Sequence, residues 1–267
     1  MVMNMFLHEL KAYRKSTIIW TCSLTALIIL YLSIYPAFLK DVAEAKKLFE
    51  GFPEGLRKAL GLSLENFFTL LGFYSYVFLY ITLCGAIQAM NLGTSIISKE
   101  VRDKTADFLL TKPVSRRRIM TAKLLAALAS LVFTNMIYLP IASYMALLVK
   151  SGAFSLKIFI MISITLFFIQ LIFMALGVLV SVVVPRIKSV LPISLGTVFG
   201  FFILNMFDSL IGEKTLRYIT PFKYFDTAYI INNSSYETSF IITEVIFITI
   251  ALTVSYLVYS KKDIHTP

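Results

Sequence analysis

Residues 158–185 read IFIMISITLFFIQLIFMALGVLVSVVVP, 28 consecutive positions without an Asp, Glu, Lys or Arg. A helix rises about 1.5 Å per residue and the hydrocarbon core of a bilayer is roughly 30 Å thick, so about 20 apolar residues make one crossing. The stretch therefore holds one spanning helix and not two. On either side of it the same signature recurs: 16–39, 66–98, 124–149 and 189–207 carry no charge, and 238–260 carries only Glu244. Six transmembrane helices are expected, over about 17–39, 67–97, 122–149, 157–184, 188–208 and 239–260, in a single transmembrane domain filling 1–267. Barrel strands would show segments of about ten residues in strict alternation, which these blocks of Leu, Ile, Phe and Val lack. The expected fold class is an all-α membrane protein.

Composition agrees. Of 267 residues, 58% are hydrophobic and 15% charged, and the mean hydropathy of +0.81 argues against a water-soluble enzyme. The net charge of +10 would in a soluble protein point to nucleic acid or acidic lipid. With both termini on the inner side, the inner segments 1–15, 99–123, 186–188 and 261–267 hold 15 of the 25 Lys and Arg, eight of them in 99–123. Such residues are retained on the cytoplasmic side during insertion. Topology thus accounts for the charge, and no nucleic-acid partner is expected. Cys22 and Cys84 lie in apolar runs and read as small buried hydrophobes rather than a disulfide or metal site.

The first apolar stretch ends Tyr35-Pro36-Ala37-Phe38 without a small-x-small cleavage site, so the first span is expected to stay in the mature protein. Ahead of it, Met3, Phe6, Leu7, Leu10 and Tyr13 follow helical spacing, with Asn4, His8, Glu9, Lys11 and Lys15 on the other side. That pattern predicts an interfacial helix over 3–15. In the outer segment 40–65, Phe49, Phe52, Leu56, Leu60 and Leu62 among charges predict one or two short amphipathic helices, broken at Phe52-Pro53-Glu54-Gly55. The aromatics Tyr218, Phe222, Tyr224, Phe225, Tyr229 and Tyr236 give the outer segment 208–237 the composition of a chain resting among lipid headgroups.

The inner segment 98–123 reads SKEVRDKTADFLLTKPVSRRRIMTAK. Asp103 and Asp107 favour a helix start near Thr105 through their place at its positive end, Pro113 must end that helix, and Ser115 is placed to cap the next. The result is a short amphipathic helix held on the inner face between the second and third spans. Phe108, Leu109 and Leu110 cannot all be buried in so small a loop and need either the bilayer surface or a partner protein.

The ordered set Glu100, Thr105, Leu109-Leu110, Pro113-Val114-Ser115-Arg116 and Lys123 resembles the intracellular coupling segment of ABC transporter permease subunits, in the type-2 class common among bacterial exporters. Pro221-Phe222-Lys223-Tyr224-Phe225-Asp226 is similar to a run found before the sixth helix in the bacterial branch. Lys104 stands where family members often carry Gly. The resemblance covers nearly the whole chain and implies a permease in a bacterial inner membrane, both termini cytoplasmic, paired with a second permease chain as homodimer or heterodimer. Each permease would dock its short inner helix into a cleft of a separate cytoplasmic ABC ATPase, which would hold ATP and Mg. The implied docking residues are Thr105, Phe108, Leu109, Leu110, Val114 and Arg116, with Pro113 and Ser115 shaping the segment and Glu100 and Lys123 anchoring its ends. The resemblance also places the second and fifth spans on the dimer axis.

A P-loop needs a Gly-rich turn ending Gly-Lys-Ser/Thr. Gly212-Glu213-Lys214-Thr215 has the wrong order, so no ATP site and no cofactor are expected in this chain. His8 and His265 sit at the termini, which leaves nothing to assemble a zinc-protease motif or a buried Ser-His pair. Intramembrane polar residues are the default pointers to a path through the membrane. Here they are Gln88, Asn91, Asn135, Gln170, Asn205 and Glu244. Glu244 lies about 9 Å from the outer end of its helix and is expected to reach for water. Gln88 and Asn91 suit either a central pathway or bonds across helices, and Gly196 and Gly200 form a Gly-x-x-x-Gly pair suited to close helix approach. Two other readings are an ion-coupled secondary transporter, which would normally show midplane carboxylates and repeated halves, and a non-transporting scaffold or immunity protein.

Overall fold

The computed structural model describes residues 2–40, 67–102, 115–152, 154–184, 187–211 and 214–261, together with scattered positions between 42 and 57. Six long helices carry the fold: α1 (Val2–Phe38), α2 (Leu70–Arg102), α3 (Arg116–Val149), α4 (Leu156–Val183), α5 (Val190–Ile211) and, after the short α6 (Lys214–Ile219), a 3₁₀ turn (Pro221–Lys223) and α7 (Thr227–Asn233), the final α8 (Thr238–Lys261). The described residues are helical with no strand, and α1, α2, α3, α4, α5 and α8 are each long and apolar enough to cross a membrane.

Successive spans alternate in direction. The N-terminus of α1, the C-terminus of α2, the N-terminus of α3 and the C-terminus of α8 meet at one end, here called the basic end. Contacts fix the arrangement there: the Tyr13 hydroxyl lies 3.0 Å from Ser95 Oγ, and the Thr121 and Tyr256 hydroxyls are 2.9 Å apart. The opposite end holds α6, the 3₁₀ turn and α7, and is tied to the bundle where Tyr236 donates to the Met161 carbonyl at 2.8 Å.

The centre of the bundle is the pair α2 and α4, the two most buried spans, while α5 and α8 are the least covered. Small residues explain the closeness of the pair. Gly85, Ala89 and Gly93 recur every four residues along one face of α2, and Gly177 answers from α4. A Cβ built on Gly93 would sit 2.3 Å from the Met174 carbonyl oxygen, and one on Gly177 would sit 2.6 Å from that of Met90. In lipid, where apolar side chains gain little from leaving the solvent, such backbone approach is a main source of helix association. Around it α1 packs on α3, α5 on α2, and α8 on α4.

Residues 3–15 are helical, as their spacing predicts, and continue without a break into the first span. At about 1.5 Å per residue, the 37 residues of α1 make a rod of about 55 Å, well beyond the hydrocarbon thickness. Its face differs from expectation: Phe6, Leu10 and Tyr13 pack on the core, Met3 and Leu7 stay exposed, and Glu9 is buried.

In segment 40–65 only part of the expected structure falls among the described residues. There the Gly51 amide donates to the Lys47 carbonyl, ahead of the expected break, and the Arg57 amide to that of Pro53, which lies within it. The aromatic segment 208–237 does not simply rest at the surface. Phe222, Tyr224 and Phe225 are buried, with Phe222 against Phe173 and Phe202 and Phe225 against Phe168. Asp226 caps α7 by accepting the Ala228 and Tyr229 amides, and Ser234, in the left-handed region at φ 50°, ends it. Arg217 clamps the segment to the start of α8 through a two-pronged bond to Glu237, a bond to the Lys223 carbonyl, and a stack over the Phe240 ring at 4.0 Å.

Candidate functional site

The helices that frame the inner segment, α2 and α3, meet α1 at the basic end. Lys123, about two turns into α3, is fully enclosed there. Its Nζ lies 3.5 Å from Glu9 Oε1 of α1 and donates to the Ile96 carbonyl of α2. One ammonium thus joins all three helices. Lys99 adds a cation over the Tyr13 ring, 5.6 Å from its centre. An ion pair this buried is held by geometry rather than by net energy, since desolvating both charges costs about what their attraction returns.

Glu100 belongs to the last turns of α2, and Ser115 is the N-cap of α3 with an extended backbone but no side-chain cap bond. The first backbone bond of α3 runs from the Ile119 amide to the Ser115 carbonyl. Arg116, Arg117 and Arg118 open α3, the last two exposed. Thr105, Phe108, Leu109, Leu110, Pro113 and Val114, and with them the expected coupling helix, lie outside the described residues. What is described is the frame on which both ends of that segment stand.

The intramembrane polar residues form a connected chain. Gln88 Nε2 donates to Thr134 Oγ1 at 3.0 Å, Gln170 Nε2 to Gln88 Oε1 at 3.0 Å, and Asn135 Nδ2 to Gln170 Oε1 at 2.6 Å. Thr134 lies 3.0 Å from the Thr21 hydroxyl, so the network links α1, α2, α3 and α4. Gln88 therefore bonds across helices. A second cluster joins Tyr74 to Tyr138 and Ser163 at 3.0 and 2.8 Å. Asn91 is half-exposed.

Asn205 is buried in α5, and its Oδ1 has no hydrogen-bond partner. It borders a cavity of about 120 Å³ between α2, α4, α5 and the 3₁₀ turn, lined also by Thr82, Thr165, Ser209, Lys223 and Asp226. Glu244 does not reach water as expected: it is buried. Its charge and, before that, burial raise the Tyr224 phenol above its ordinary pKa. Gly196 and Gly200 face outward on α5, with none of the described residues within 4 Å of a Cβ built on either. Cys22 is exposed on the outer face of α1 and Cys84 is half-buried, so the expectation of two buried thiols is corrected for Cys22.

Several members of these networks escaped the sequence reading. Glu9 looked like one polar residue on a solvent face. Thr21, Tyr74, Thr134, Tyr138 and Ser163 passed as ordinary members of apolar windows. The available signal was the hydroxyl itself, because a polar group inside a span must find a partner.

Compared with known proteins, the chain matches, over residues 3–264, the family described as ABC-2 family transporter protein. No curated protein matches it.

Proposed function

The chain belongs to the ABC-2 transporter family as a multi-pass membrane permease, and on that premise we propose that it is the membrane subunit of an ATP-driven exporter. It pairs with a second permease chain and docks a separate cytoplasmic ATPase through the segment from Glu100 to Arg116. The observation that carries this reading is the Lys123 junction. A segment that receives force from an ATPase must pass it to the spans, and a junction in which Lys123 holds Glu9 of α1 and the Ile96 carbonyl of α2 gives α1, α2 and α3 a shared point through which to receive it.

Pairing is supported by the outer face of α5. Gly196 and Gly200 leave a flat strip open to close backbone approach, and Phe199, Ile203 and Phe207 stand exposed beside it. The basic end is the cytoplasmic one in this reading, as the Lys and Arg distribution requires. The buried networks of Gln88, Gln170 and Tyr74 hold the spans together and are not cargo contacts, so a transport route runs between two chains rather than through one.

Reconstitution tests it. Vesicles containing the permease and its ATPase should move a compound against its gradient when ATP is supplied and should stop when ATP is withheld. A complex that hydrolyses ATP and moves nothing would point to a scaffold.

A further inference from the structure

We infer that the face between the start of α3 and the second half of α8 is a binding site for one anionic phospholipid. The site is a groove of about 520 Å³ floored by α8, with Thr249, Leu252, Thr253, Tyr256 and Ser260 along it and Arg117 of α3 at its end. It needs only that the chain spans a bilayer and does not rest on the transport reading.

Its shape suits an acyl chain. Positions 249, 252, 253, 256, 257 and 260 share one helical face, and the small side chains at 249, 253 and 260 hollow it out. From Ser260 to Ile248 the helix rises about 18 Å, close to the roughly 15 Å from headgroup boundary to midplane. The Tyr256 hydroxyl is turned to Thr121 at 2.9 Å, which occupies the one large polar group in the floor. The Thr249 and Ser260 hydroxyls turn back onto the Val245 and Leu257 carbonyls of their own helix, which leaves a largely apolar trough.

Its charge selects the headgroup. Arg117 is exposed, and no carboxylate pairs with it among the described residues. Arg118 and Lys261 stand exposed at the same end. A second copy of this chain seated here by two-fold symmetry would set this basic cluster against itself. A phosphodiester meets it instead with opposite charge, two-pronged on the guanidinium.

Native mass spectrometry of the purified full-length protein decides the matter, with dioleoyl phosphatidylglycerol and dioleoyl phosphatidylcholine added separately at equal concentration and inorganic phosphate as a headgroup control. One phosphatidylglycerol adduct should dominate, held against phosphate and exceeding phosphatidylcholine by about fivefold, the effect of one basic side chain at a lipid surface. Arg117→Ala should erase the preference, Arg118→Ala should keep it, and Thr253→Trp should lower occupancy by both lipids. Equal occupancy by the two lipids, or an Arg117→Ala variant that behaves as Arg118→Ala does, overturns the site. So does a Thr253→Cys variant that cross-links two copies through this face.

Discussion

Glu9 and Lys123, 114 positions apart in sequence, face each other at 3.5 Å in a pocket that leaves the lysine side chain 1% exposed and the glutamate 9%. Breaking such a pair strands one charge out of water, a loss of about 3–5 kcal/mol, whereas replacing both partners by apolar groups is often neutral. Lys123→Met should therefore lower the unfolding midpoint in detergent sharply, and Glu9→Leu with Lys123→Met should recover much of the loss. If the junction transmits force, the repaired double variant remains poor in ATP-driven transport. Additive losses in the double variant would show that the two residues do not act as a pair.

The glycines separate inside from outside. Gly93→Ala puts a Cβ against the Met174 backbone, and neither backbone can yield without parting α2 from α4, so this variant should lose stability or fail to accumulate. Gly196→Leu and Gly200→Leu meet open space among the described residues and should fold normally while weakening pairing. Size-exclusion chromatography with light scattering reads both outcomes. Unaltered pairing would remove α5 from the proposed interface.

Gln170 is the hinge of the intramembrane network, giving one hydrogen bond to Gln88 and taking one from Asn135. Gln170→Leu leaves both partners short of a bond in an apolar setting. Bonds of this kind in membrane bundles are worth about 0.6 kcal/mol on average and up to about 1.7, so a loss of roughly 1–3 kcal/mol is expected for the pair. Equilibrium unfolding in mixed detergent measures it.

Alkaline pH should loosen the end opposite the Lys123 junction. The Tyr224 phenol is raised by burial and then by the charge of Glu244, and that of Tyr236 by burial. Each holds its proton more tightly folded than unfolded, so its stabilising contribution is complete below about pH 10, the ordinary value of the phenol, and is lost as pH rises through the folded-state value. Tyr236 also donates to the Met161 carbonyl, a bond its ionised form cannot make. The double variant Tyr224→Phe and Tyr236→Phe should show a flatter stability profile above pH 10. A profile as steep as that of the unaltered protein would count against these two phenols.

The architecture was legible because spans are written in what they lack: six windows almost free of charge leave little room for another count. Packing was less so. Gly196 and Gly200 were singled out for close approach and Gly85, Ala89 and Gly93 passed over, yet the first set faces outward and the second lies against α4. Spacing alone does not say whether the partner is in the same chain. Glu9 was misread for a related reason, since helical spacing assigns a residue to a face and not to a neighbour. Lys123 was expected to anchor the inner segment by resemblance, but the glutamate it meets is more than a hundred residues away. Long-range pairs of this kind are set by the bundle, after the helices have formed.

The central claim is that the segment from Thr105 to Arg116 couples this permease to an ATPase, and the most direct measurement is co-purification of the two with Leu109 and Leu110 both changed to Asp. The unaltered permease should bring its ATPase through affinity and size-exclusion steps, while the variant should run as a folded permease without it. An undiminished complex in the variant would contradict the account.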